Sequence, residues 1–389
     1  MYPVNKSTDH LKFLRRLTVE SGTQQFPRID KPFTIELSDG SLYVVHMKMV
    51  GGNHDHTKSV IVKKRSYDTG NTWVEEETLF ETPVNDLNIY TMGLNYTAGV
   101  IYLTLLYIHD AKCTTCTIYS SKDDGNTYEE VGKVWENSKG YWLCGYTEIL
   151  SNNRFIHPFY GQINGGEAWS KGENYIVNCF YSDNSGQTWK QSDNIVYLPL
   201  RGAQEPSVVE MDDGRLVMSL RTQLGCVFFS ESYDKGKTWN YAHPSNLNAS
   251  EGITHMKRIP GTNRLLIFWF DAEYKPFHGH YGDRMTIGMA VSDDYGYTWK
   301  KIGALAGNEI THFNPPEGQV YTYNHPICTF LKNGDAFVNY LVVTGFGYKT
   351  TESDMGGFIM QKTGYIQDRT NYRMSYEAAI INGDFLKNV

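Results

Sequence analysis

The chain has 389 residues, 14% of them aromatic, with 36 glycines, 28 tyrosines and a net charge of −7. That composition suits many short strands joined by tight turns, and the acidic balance disfavours nucleic acid or an anionic membrane surface as a partner. No window approaches 18 apolar residues and the six cysteines are too sparse for a disulfide framework, so neither a membrane-spanning helix nor a cross-linked scaffold is expected.

The opening MYPVNKSTDHLKFLRRL lacks the apolar run of a secretion signal, which makes a cytoplasmic protein the expectation for the sequence as written, and a secreted one if a leader has been removed. Cys113 and Cys116 form a CxxC with no second pair or nearby histidine, and read as reduced thiols in or beside a sheet. His54, His56 and His325 do not have the spacing of a metal site. No metal and no cofactor are therefore expected.

Self-similarity organises the rest. One octapeptide occurs five times, beginning at residues 66, 121, 182, 232 and 292: SYDTGNTW, SKDDGNTY, SDNSGQTW, SYDKGKTW and SDDYGYTW. Its Asp or Asn can accept backbone N–H bonds within the turn, its Gly takes the positive φ, and its aromatic ring can pack on a neighbouring sheet. These aspartates are therefore read as structural. A second series of turn signals lies between alternating apolar runs, at Asp39 and Gly40, Gly99, Asn152 and Asn153, Asp213 and Gly214, Gly261 to Asn263, and Asn333 and Gly334. The two series interleave in strict order. This predicts an all-β, six-bladed β-propeller of four-stranded antiparallel sheets, with residues 1–389 as a single domain. An N-terminal segment or the C-terminal run YEAAIING would close the ring. The longest irregular stretches, around Gly161 to Tyr175 and Phe270 to Arg284, are aromatic, Gly-rich and charged, as suits a carbohydrate-binding rim.

In such an architecture the residues just before the first strand and just after the second lie near one end of a central channel. Counting from the hairpin turns selects Arg28, Glu205 and His325 before first strands, and Asp55 and Arg221 after second strands; Arg284 opens a third strand. Three arginines at the same end of different sheets could converge, and planar guanidinium forks bind a carboxylate bidentately. Asp55 and Glu205 would then serve as acid/base and as a partner that polarises a nucleophile.

The sequence resembles the sialidases. The octapeptides are similar to that family's Asp-boxes, FPRIDKPFTIELSDG to the region of its RIP motif, with Asp30 in place of Pro, and EPSVVEMDDGRLVMSLR to the segment carrying its catalytic Glu and second Arg. The resemblance implies that Arg28, Arg221 and Arg284 grip a substrate carboxylate, that Asp55 is the general acid/base, and that Glu205 activates a tyrosine nucleophile. The implied partner is a sialoglycan or another acidic carbohydrate. The family's tyrosine is not where the turn would put it: in YTYNHPICTFLKNG that position is His325, with Tyr323 two residues earlier and Tyr321 four. Strand parity would let Tyr323 face the same way as His325. His325 with Tyr323, flanked by His54 and His56, also suits acid/base elimination from a uronate. A propeller that binds glycans without catalysis would need no acid/base pair.

Overall fold

The computed structural model describes residues 12–139, 143–162, 174–272, 284–307, 319–355, 358–367 and 373–389. The two long irregular stretches singled out above lie for the most part outside the described residues.

The described strands are ordered as antiparallel meanders. The first runs Arg28–Glu36, Leu42–Met49, Ser59–Ser66 and Val74–Glu81, each strand pairing with the next, and the sheet that starts at Gln204–Glu210 repeats this order. Five hydrogen-bonded sheets result instead of six, because the first and last units join: Arg28 pairs in parallel with Met374, fusing nine strands into one sheet. Both ends of the chain enter the last unit. Arg373–Ile381 pairs with Ala336–Met355, and Leu14–Glu20 pairs with Arg373–Ile381 on its other side. The N-terminal segment and the YEAAIING run thus lie side by side.

All five octapeptides adopt the same turn. In the first, the Asp68 carboxylate accepts from Thr72 N at 2.8 Å and Thr72 Oγ1 at 2.7 Å, while Gly70 N donates to Ser66 Oγ at 2.7 Å. The copy with Asn184 keeps these contacts, its Oδ1 accepting from Thr188 N and its Nδ2 donating to the Thr188 hydroxyl, both at 2.9 Å. Thr69 and Gly70 both have positive φ, as do the corresponding pairs in the other copies. This explains why glycine is retained at the fifth position. Each octapeptide glycine also abuts the preceding unit: Gly125 faces Tyr43, Gly236 faces Ile156, Gly296 faces Val217, and Gly70 of the first unit meets Leu17 and Phe337 of the last.

Close approach and backbone conformation can be separated by mutation. Gly40 has φ +83° and open space around it, whereas a Cβ on Gly125, at φ +84°, would lie 2.5 Å from the Tyr43 ring. Gly40→Ala is expected to cost about 1 kcal/mol from φ alone, and Gly125→Ala about 2 kcal/mol more from overpacking. Urea unfolding of the two variants checks this, and equal losses would show that the octapeptide does not act as a packing wedge.

Candidate active site

Three inner strands carry the same irregularity. Lys31, Glu205 and His325 each lie nine residues before the hairpin glycine of their unit and each precedes a proline: Asp30-Lys31-Pro32, Gln204-Glu205-Pro206 and Asn324-His325-Pro326. All three adopt positive φ (47°, 38° and 43°), and in all three strands the pairing register slips there, between Asp30 and Phe33, Gln204 and Ser207, and Asn324 and Ile327. A non-glycine residue at positive φ costs about 1 to 3 kcal/mol, and bulges re-aim a side chain off the strand's alternation. Proline is tolerated because the bulge leaves no ladder bond for its missing N–H to make. Lys31 was not among the residues singled out from the sequence. The shared X-Pro at a fixed distance from the turn is the signal that finds it.

The residue before each of these three fastens neighbouring units together. Asp30 Oδ2 accepts from Arg28 Nε and Nη2 at 2.8 and 2.5 Å, and its Oδ1 lies 2.7 Å from His325 Nδ1. Asn324 Oδ1 accepts from Arg284 Nη1 at 2.5 Å, and Gln204 Nε2 donates to Glu251 Oε1 at 3.1 Å. Arg221 Nη1 donates to Glu205 Oε2 at 2.6 Å, and its Nη2 lies 3.4 Å from Glu251 Oε1, which also takes Arg201. Arg284 Nη2 donates to the Glu251 carbonyl at 3.1 Å. The structure thus brings Arg28, Asp55, Glu205, Arg221, Arg284 and His325 into one linked cluster and adds Asp30, Lys31, Arg201 and Glu251 to it.

Arg28 differs from the other arginines in its partners. Besides Asp30 it donates through Nη1 to Asp55 Oδ1 at 2.7 Å and to the Asn53 carbonyl at 3.0 Å, so protein oxygens occupy both edges of its fork. Burial by itself would raise the Asp55 pKa, but the Arg28 charge prevails and holds it below the ordinary carboxylate value. Tyr90 Oη adds a bond to the Asp55 carbonyl at 3.0 Å. Glu205 is likewise held ionised: desolvation pushes its pKa up, and Arg221, then Lys31 and His325, pull it further down. For His325, burial and the Lys31 charge keep the imidazole below its ordinary 6.5, against the upward pull of Asp30 and Glu205. Beside an ionised Asp30 the ring's proton belongs on Nδ1, which leaves Nε2 as a lone-pair base.

The tyrosines do not fall where strand parity would put them. Tyr323 is 0% exposed, lies in the core near Tyr340 with ring centroids 6.4 Å apart, and its backbone N donates to the Arg284 carbonyl. The bulge at His325 breaks the alternation, so the expectation that Tyr323 shares the direction of His325 is not met. Tyr321, partly buried, also packs on that core. Tyr146 stands instead beside the charged cluster, its ring centroid 6.0 Å from Lys31 Nζ. Burial raises its pKa well above 10, and the neighbouring Glu205 and Asp30 carboxylates raise it further. His54 and His56 pack on each other, with ring centroids 5.4 Å apart. Among the described residues no group of three or more His, Cys, Asp or Glu is placed to hold a metal ion. Cys113 and Cys116 lie on one strand, and neither forms a disulfide among the described residues.

The family model described as a BNR repeat-like domain matches residues 100–386. The chain belongs to that family. This BNR-repeat protein is 23% identical to a sialidase of Paraclostridium sordellii over 244 residues, an alignment spanning 56% of this chain and 58% of the relative. The chain thus matches less than two thirds of that relative's length. Among solved structures it is similar to a Dyadobacter fermentans protein of unknown function (TM-score 0.65, 17% identity, 95% of this chain and 99% of that one). It is also similar to a NanB sialidase variant from Streptococcus pneumoniae (TM-score 0.64, 14% identity, 94% and 70%). An α-L-arabinanase from Penicillium chrysogenum follows (TM-score 0.58, 13% identity, 96% and 98%). At these identities the likenesses establish a sialidase-like all-β fold of antiparallel sheets.

The Asp30 contact can be tested on the imidazole itself. NMR titration of the BNR-repeat protein is expected to place the His325 pKa below 6.5, and Asp30→Asn, which removes a charge that raises it, should lower it further. An upward shift in that variant would show that Asp30 does not face the ring.

Proposed function

We propose that this chain is a glycosidase of the sialidase type, a closed six-bladed propeller that cleaves a terminal, carboxylate-bearing sugar, with an α-linked sialic acid as the first substrate to try and no metal required. The gathering of cations beside ionised carboxylates is the observation that carries the reading. Arg28, Lys31, Arg201, Arg221 and Arg284 are five fixed cations among the described residues, set against the four carboxylates Asp30, Asp55, Glu205 and Glu251, with His325 neutral. Guanidinium and ammonium groups gathered in one place suit an anionic group on a ligand, which they meet with charge and directed donors. The likeness to sialidases supports a glycan as that ligand.

In this reading Arg221 and Arg284 present donors to the sugar carboxylate. Arg28, filled by Asp30 and Asp55, holds those two carboxylates in place and leaves the grip to the others. Asp55 serves the leaving oxygen. Because Arg28 keeps it ionised, it becomes an acid only in a step that loosens the Arg28 ion pair. His325 occupies the position of the family's tyrosine, and its Nε2, backed by Asp30 and near Glu205, is the base that takes a proton from the attacking group. Tyr323, sealed in the core, takes no part.

His325 also favours a second reading. A neutral imidazole beside a carboxylate-neutralising cluster is suited to removing the acidified α-proton of a uronate, with elimination of the glycosidic oxygen.

The two readings separate in one pair of assays. Release of the aryl group from an aryl α-sialoside supports hydrolysis, whereas growth of ultraviolet absorbance on a uronate polymer supports elimination. Neither signal, under conditions where the protein is folded, would sink both. Whichever activity is found, His325→Ala and Arg221→Lys should each lower kcat/KM by about 100-fold or more. For hydrolysis, Asp55→Asn should slow substrates with poor leaving groups far more than activated aryl glycosides. Equal losses on both would remove Asp55 from the acid's role.

A further inference from the structure

Two donors in the cluster have no bond to make among the described residues. Among the described residues Lys31 is 7% exposed, yet its ammonium has no carboxylate within ion-pair distance and no hydrogen bond, while its backbone is held at φ +47°. The Tyr146 hydroxyl, on a residue 3% exposed, is also buried without a hydrogen-bond partner. The ammonium lies 6.0 Å from the centroid of the Tyr146 ring. Two of these features would be costly if they were only structural, an unsatisfied buried hydroxyl and a strained backbone before a proline, while the ammonium acts on Glu205 through its charge alone. The bulge is shared with Glu205 and His325, so all three side chains are displaced from their strands by the same device.

We propose that Lys31 and the Tyr146 hydroxyl join Arg221 and Arg284 as the anion receptor of this site, taking the place on the carboxylate of an acidic sugar that Arg28, occupied by Asp30 and Asp55, leaves open. This deepens the reading of the site as one for acidic sugars and rests on it. Three ammonium donors on a flexible stem make a point-charge contact, and one phenolic O–H adds a directed bond to a carboxylate oxygen. Such a receptor selects for negative charge more than for the planar geometry an arginine fork demands, so it accommodates the differently oriented carboxylates of sialic and hexuronic acids.

Isothermal titration calorimetry of the full chain with N-acetylneuraminate, galacturonate, glucuronate, galactose and acetate tests the proposal. The wild type should bind at least one sugar acid more tightly than galactose or acetate. Lys31→Gln should weaken that acid by about 30-fold without changing the neutral sugar, Lys31→Arg should retain it within a few-fold, and Tyr146→Phe should weaken it several-fold. A wild type that binds no sugar acid overturns the acidic-sugar reading itself. A wild type that binds one while folded Lys31→Gln binds it equally well overturns only the receptor. Acetate bound as tightly as the sugar acids would mean a general anion site and also overturn it. If the Lys31 variants do not fold, wild-type protein labelled with [15N]lysine decides: one ammonium resonance must shift on addition of the sugar acid and not of galactose, and its absence overturns the receptor.

Discussion

The candidate site depends on a backbone constraint repeated three times. An inner strand that kept its alternation would send every second side chain into the packing between sheets, and a charged residue there would be buried without a partner. The pre-proline bulge at Lys31, Glu205 and His325 breaks the alternation at one point and leaves the apolar residues on either side, such as Ile29 and Phe33, in the core. Burial of the strand and presentation of its charge are thus compatible. The strain at the three positions is stored where the charges meet, as strained backbone at functional sites commonly is.

Once brought together, the charges are held by each other. Glu251, 0% exposed at its side chain, collects Arg201, Arg221 and two glutamine amides, and its own carbonyl takes Arg284. Asp30 does the same for Arg28 and His325. Neither carboxylate touches a substrate in the reading given above, yet each fixes the orientation of groups that do. A buried ion pair contributes little net stability against an apolar substitute, and its value here is positional: long flexible arginines are confined to one rotamer before a ligand arrives. Among the described residues the lysine is the exception in this network: its ammonium makes no ion pair or hydrogen bond and acts on Glu205 through charge alone.

Much of the fold is legible in the residues. The octapeptide declares its own turn because every contact that forms it lies within four residues, from Ser66 to Gly70 and Asp68 to Thr72. The six hairpin signals are local for the same reason. Part of the site is legible as residue types counted from those turns: Glu205 and His325 lie nine residues before their hairpin glycines, Arg28 lies twelve before its own, and Arg221 follows its turn. Strand parity failed at Tyr323 because it holds only in unbroken strands. Lys31 and Glu251 are not legible in the same way, because a backbone bulge places the one and contacts 50 and 30 residues away in the chain, to Arg201 and Arg221, define the other.

The sequence by itself determined the repeating antiparallel units, their turns and the cationic, carboxylate-rich character of one end, since each is written in contacts a few residues long or in composition. It could not determine which cation, among the described residues, is left without an ion-pair partner. That depends on whether Asp30 and Asp55 reach Arg28, two and 27 residues away, and on whether Glu251 reaches Arg201, 50 residues away. It was also silent on the fusion of first and last units, where Arg28 pairs with Met374. Pairings over such separations are set by how the sheets pack around one another, so only the tertiary structure decided that the arginine of the expected triad is occupied and that the lysine beside it is not.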